Sequence, residues 1–100
     1  MPKTEYKILD NLMHAYLNMD AQDITGADDL EGMVEYYFKD CRRSDFLFLK
    51  AEMAYFEEQY KEKTEMQTAF DDLYPNEVEI KDVQDFFKLL NKKGSEVFQD

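Results

Sequence analysis

The sequence predicts an all-α protein, a single compact bundle of about five helices forming one domain over residues 1–100. Glycine and proline are scarce, three and two in 100 residues, so the chain has few of the turns that a sandwich or barrel needs between strands. Leu, Lys, Glu, Met and Ala supply good helix formers. Apolar residues recur at spacings of three and four, the period of one helix face. A hydrophobic fraction of 44% with 15% aromatic residues is enough for one packed core and excludes intrinsic disorder.

The first helix is expected from Glu5 to about Asn18, on the stripe Ile8, Leu9, Leu12, Met13, Tyr16 and Leu17. An acidic connection follows, and Asp28 or Asp29 can cap a second helix through Leu30, Met33, Val34, Tyr37, Phe38 and Cys41. A third, central helix begins at Ser44. Its seam, Phe46, Leu49, Met53, Phe56 and Tyr60, steps by three, four, three and four, while Leu47, Phe48 and Tyr55 widen the stripe as if it packed against more than one neighbour. Thr64 reads as the N-cap of a short fourth helix through Met66, Ala69, Phe70 and Leu73, stopped at Tyr74-Pro75 because proline disfavours helical geometry in the residue before it. The last helix starts near Ile80 to Asp82 and carries Val83, Phe86, Phe87, Leu89 and Leu90. Its expected end is Lys92-Lys93-Gly94, with residues 95–100 a fraying tail unless Val97 and Phe98 dock.

Little of this argues for catalysis. Nearly every Asp and Glu falls on a polar helix side or in a connection, where burial cannot raise its pKa for acid-base work. His14 is the one histidine and reads as half-buried and structural. Cys41 is the one cysteine and reads as a small buried side chain, with no disulfide partner and no residue spaced to activate it. No Cys or His cluster, glycine-rich phosphate loop or basic aromatic patch is present, so no cofactor or metal is expected. No signal-peptide or membrane-span pattern is present either, which makes a reducing cytoplasm the expected compartment.

The net charge of −11, from 23 acidic and 12 basic residues, disfavours direct binding to nucleic acid or anionic lipid and favours a basic protein partner. The acid is clustered. Asp20, Asp23, Asp28, Asp29, Glu31 and Glu35 lie between Asn18 and Tyr37 with no cation among them, and a second unrelieved block holds Glu65, Asp71, Asp72, Glu77 and Glu79. Tyr36 and Tyr74 adjoin the blocks, and exposed tyrosines beside carboxylates suit a protein interface. The candidate partner-binding residues are therefore Asp23, Asp28, Asp29, Glu31, Glu35 and Tyr36 in the first block, with Asp71, Asp72, Tyr74, Glu77 and Glu79 as a competing surface. The stretch Asp20 to Glu31 also has the length and ends of a calcium loop. Its third, fifth and sixth positions are Gln22, Ile24 and Thr25, however, and Gly26 stands one place late, so it is read as an acidic connection instead.

The segment LMHAYLNMDAQDITGADDLEGMVEYYF resembles the immunity proteins of bacterial contact-dependent growth inhibition systems, a small helical family. Tyr16, Leu17 and Asp20 occupy the family's exit from its opening helix. FLFLKAEMAYF is similar to its central helix, with a Leu-x-x-Glu pattern at Leu49 to Glu52, TEMQTAFDDLYPNE to its fourth helix and Tyr-Pro turn, and DVQDFFKLL to its last helix. Ala21 and Phe86 stand where such proteins often carry Trp. The resemblance spans residues 8 to 92 and implies a non-catalytic inhibitor of the toxic C-terminal domain of an exported effector. Many such toxins are nucleases with basic sites, for which an acidic surface competes. A general helical adaptor with no toxin partner is the alternative.

Overall fold

The first apolar stripe folds as α1 (Lys7–Asn11) followed directly by a π turn (Leu12–Tyr16) in the computed structural model, which describes residues 6–18, 20–75 and 80–99. The inward residues Leu9, Met13 and Leu17 are four apart. Four-residue steps run ahead of a 3.6-residue turn, so the stripe drifts around an ordinary helix. The wider turn, closed by the Leu17 N–H on the Leu12 carbonyl at 3.1 Å, takes up the drift. Leu9, Leu12, Met13 and Leu17 are all fully buried as a result.

The connection expected after Asn18 contains a helix of its own, α2 (Ala21–Thr25). The Asn18 side chain accepts the Asp20 N–H at 2.8 Å, and the Thr25 hydroxyl donates back to the Ala21 carbonyl at 2.8 Å. Gly26, at φ 73°, takes the left-handed position that ends the helix, which a residue without Cβ adopts at least cost. Five residues with only Ala21 buried carry too little periodicity to be read from sequence.

Asp29 caps α3 (Leu30–Asp40), accepting the Gly32 N–H at 2.8 Å. The central helix α4 (Arg43–Gln59) starts one residue before Ser44, where the Asp45 carboxylate accepts the Arg42 N–H at 3.0 Å. The next helix, α5 (Lys63–Leu73), has Glu62 rather than Thr64 at its N-cap and ends at Tyr74 as expected. Asp82 caps α6 (Val83–Phe98) through the Asp85 N–H at 3.1 Å. The five expected helices are present, and α2 is additional.

The end of the last helix differs from the reading. Lys92-Lys93-Gly94 lies inside α6, which continues to Phe98, whose ring stacks on Phe46 at 5.8 Å and meets Phe38 edge-on at 6.3 Å. Gly94 is buried against Phe46: a Cβ there would lie 2.1 Å from the ring. The glycine lets α6 approach α4 closely rather than stopping the helix.

The last helix is the strut of the fold, packed against α3, α4 and α5, while α1 packs on α4 and α2 on α3. Its side chains close two groups of packed rings, Phe38–Phe46–Phe98, in which Phe46 and Phe98 stack and Phe38 meets both edge-on, and Phe56–Phe70–Phe87, edge-to-face throughout. Such pairs contribute about 0.5–1.5 kcal/mol each beyond area burial. Glu52 accounts for the Leu-x-x-Glu pattern: Leu49 is fully buried, and the Glu52 carboxylate accepts the Ile8 and Leu9 N–H groups at 3.0 and 2.9 Å. A helix from elsewhere thus satisfies two orphan donors of α1, whose own N-cap makes no side-chain bond. Of the residues that widen the stripe, Leu47 and Phe48 are 46% and 63% exposed, while Tyr55, 42% exposed, has its ring 6.2 Å from that of Tyr6. Among the described residues no helix is long and apolar enough to cross a membrane.

Candidate partner-binding surface

The two elements that carry most of the first acidic block, α2 and α3, pack against each other. Asp23 is exposed in the first turn of α2. Asp28 is exposed in the connection, within 3.5 Å of the Gln22 amide. Asp29 is exposed as well, but its Oδ1 is committed to the cap of α3.

Glu31 and Glu35, one turn apart on α3, converge on Lys93 of α6, each at 2.8 Å. The segment from Asn18 to Tyr37 has no cation of its own, and the fold supplies one from far along the chain. Lys93 is 9% exposed, its stem lying along the α3–α6 contact while its ammonium reaches the carboxylates. The Glu31 bond first, then Glu35, raises the Lys93 pKa above the usual lysine value. The same contact holds Glu35 below the ordinary carboxylate range.

Tyr36 is 41% exposed, with its ring 6.2 Å from that of Tyr16. The Tyr16 hydroxyl donates to Asp40, a bond that, with burial, pushes the Tyr16 pKa up to about 12. Two tyrosines are thereby fixed beside the carboxylates. Tyr36, Asp23 and Asp28 are all exposed.

In the second block Glu65, Asp71 and Asp72 are exposed, but Tyr74 is not the exposed tyrosine expected there. Tyr74 is 5% exposed: its ring packs on Phe70 at 4.9 Å and its hydroxyl donates to Asp10. Tyrosine at the end of α5 tucks under α1 instead of facing solvent, and burial raises its pKa. Asp71 is exposed and accepts the Gln67 amide at 3.2 Å. Asp72 lines a groove of about 710 Å³ along α5, together with Glu62, Glu65, Tyr60, Ala69 and Leu73. Glu77 and Glu79 lie outside the described residues.

His14 is exposed rather than half-buried, with its ring edge-on to Tyr74 at 5.5 Å. Cys41 is half-buried at the end of α3, and burial followed by the Asp45 charge pushes its thiol up to about 11, far from a thiolate at neutral pH. The calcium-loop alternative does not match the backbone: Gln22 and Ile24 lie on α2 and Asp29 on a cap. Among the described residues, no group of three or more His, Cys, Asp or Glu side chains is placed to hold a metal ion.

Sequence reasoning missed Lys93 because its cluster with Lys92 and Gly94 imitates a helix C-terminus. It also missed the exposed face of α4. The signal there was Leu47, Phe48, Ala51, Ala54 and Tyr55, a second apolar set at helical spacing displaced from the buried seam.

A family model described as CdiI immunity protein matches residues 5–93. No curated protein and no solved structure matches significantly.

Proposed function

Because the chain belongs to the CdiI immunity protein family, we propose that it acts in the cytoplasm as a non-catalytic inhibitor, neutralising the toxic C-terminal domain of a contact-dependent growth inhibition effector. The partner is a basic domain, a nuclease, engaged through the acidic surface of α2 and α3. The observation that carries this reading is the exposed tyrosine and carboxylate surface of Asp23, Asp28 and Tyr36, with Glu31 and Glu35 held in place by Lys93. A nuclease needs cations to hold phosphate, and an anionic protein surface competes for them. Complementary charge also speeds encounter, which matters when free toxin is lethal at few copies.

The experiment is co-expression of this chain with the C-terminal domain of the effector from the same strain. Growth restored by the wild-type chain, together with a stoichiometric complex on purification, is the expected result. Loss of protection in the pair Asp23→Lys and Asp28→Lys, with helicity retained, assigns the surface. Asp29 is left intact in this test because its reversal removes a helix cap. A wild-type chain that neither binds nor protects contradicts the reading, and a non-toxic housekeeping partner recovered instead favours a helical adaptor.

A further inference from the structure

The exposed side of α4 carries Leu47, Phe48, Ala51, Ala54 and Tyr55, with Ser44 at one end and Glu58 at the other, and the Tyr55 ring, 42% exposed, also lies 6.2 Å from that of Tyr6. On an α-helix these positions fall within about a third of the circumference. Over this length the face has one charge, Glu58, in a chain of net charge −11. Phe48, 63% exposed, is the most exposed of the large apolar side chains in the described residues.

We propose that this face is the contact between two copies of the chain, joined antiparallel along α4 by a two-fold axis at Ala51. The face is self-complementary about that residue. A two-fold axis brings each position against the one equally far from Ala51 on the other side, and every contact occurs twice. Leu47 then meets Tyr55 of the second copy, and Phe48 enters the space left by Ala54. Small Ala51 at the centre lets the two helices approach closely.

Charge fixes the direction. In the antiparallel arrangement Glu58 lands on Ser44 of the second copy, beside Arg43 in the first turn of α4, where the helix dipole is positive. A parallel arrangement sets Glu58 against Glu58 and Arg43 against Arg43. Repulsion between two acidic chains opposes association at long range, but it is screened beyond roughly 8 Å at physiological salt, while the apolar contact is not. Pairing through α4 uses none of the residues assigned to the toxin, so the two proposals stand or fall separately.

Sedimentation equilibrium of the purified chain at physiological salt, from low to high micromolar concentration, tests this directly. The wild-type mass is expected to rise from 12.0 kDa toward twice that value. Phe48→Asp should weaken self-association tenfold or more, since each dimer loses two buried rings. Arg43→Glu and Glu58→Arg should each weaken it, and the double variant should recover most of the loss. Circular dichroism of each variant confirms that helicity is kept, as expected for exposed positions. A wild-type chain that stays monomeric throughout overturns the proposal, and protection of this face only by the toxin domain would reassign it to that partner. Tighter association of Glu58→Arg also overturns it, because net charge rather than a paired contact would then govern.

Discussion

Replacing Gly94 with Ala sets two effects of opposite sign against each other. In an exposed helix interior the change stabilises by about 1 kcal/mol, since Ala loses less backbone entropy than Gly. In α6 the new Cβ would sit 2.1, 2.4 and 2.6 Å from three atoms of the Phe46 ring, more than 1 Å inside ordinary contact at the closest. Phe46 has no room to withdraw: it is fully buried, with Phe38 at 5.4 Å and Phe98 at 5.8 Å. Overpacking of a well-filled core costs about 1–3 kcal/mol and occasionally more, and a clash this deep belongs at the upper end. The steric effect wins, leaving a net loss of about 2 kcal/mol. For a domain of this size that is a fall in Tm of roughly 8–16 °C, with an earlier urea midpoint and an unchanged m-value. Thermal and urea unfolding followed by circular dichroism measure it. A Tm equal to or above that of the wild type would refute the close α4–α6 packing.

Glu52→Ala leaves two backbone donors of α1 without a partner, at a cost of about 1–3 kcal/mol. Hydrogen exchange should accelerate at Ile8 and Leu9 before the core, and uniform protection would exclude the capping role. Burial raises Tyr6 to about 12, as the Asp40 bond chiefly does Tyr16. A tyrosine that keeps its proton longer folded than unfolded binds more protons in the native state between those two pKa values. Stability is therefore full below pH 10 and falls as pH rises toward 12, which Tm measured alongside tyrosinate absorbance will show. Removing the ammonium with Lys93→Met leaves Glu31 and Glu35 facing each other, so Tm should fall and partly recover with added salt. A Tm equal to that of the wild type would locate the role of Lys93 in its buried stem alone, which Met retains.

The helices were legible because their buried seams follow the helix period: Phe46, Leu49, Met53 and Phe56 of α4 are all inside. The cap of α3 was legible to within a residue, as Asp28 or Asp29, because capping depends on residues close in sequence. What escaped depends on distant partners. Lys93-Gly94 has the local chemistry of a helix end, and only Phe46 and the two glutamates explain why it lies mid-helix. Tyr74 looks like a surface residue until Asp10 and Phe70 close over it. The π turn arises from the core's demand on Leu17 rather than from any residue within it. Of the candidate site, the clustering of acid was visible in the chain. Which carboxylates are committed to a lysine was not, since the pairing of Glu31 and Glu35 with Lys93 is decided across the α3–α6 contact.

The most direct test of the central claim is the association rate of the purified chain with the toxic domain, measured by stopped flow at low and physiological salt. The acidic-surface account predicts a rate that falls steeply as salt rises, and a further loss of about tenfold in Asp23→Lys with Asp28→Lys at low salt. A rate indifferent both to salt and to that charge reversal would contradict it.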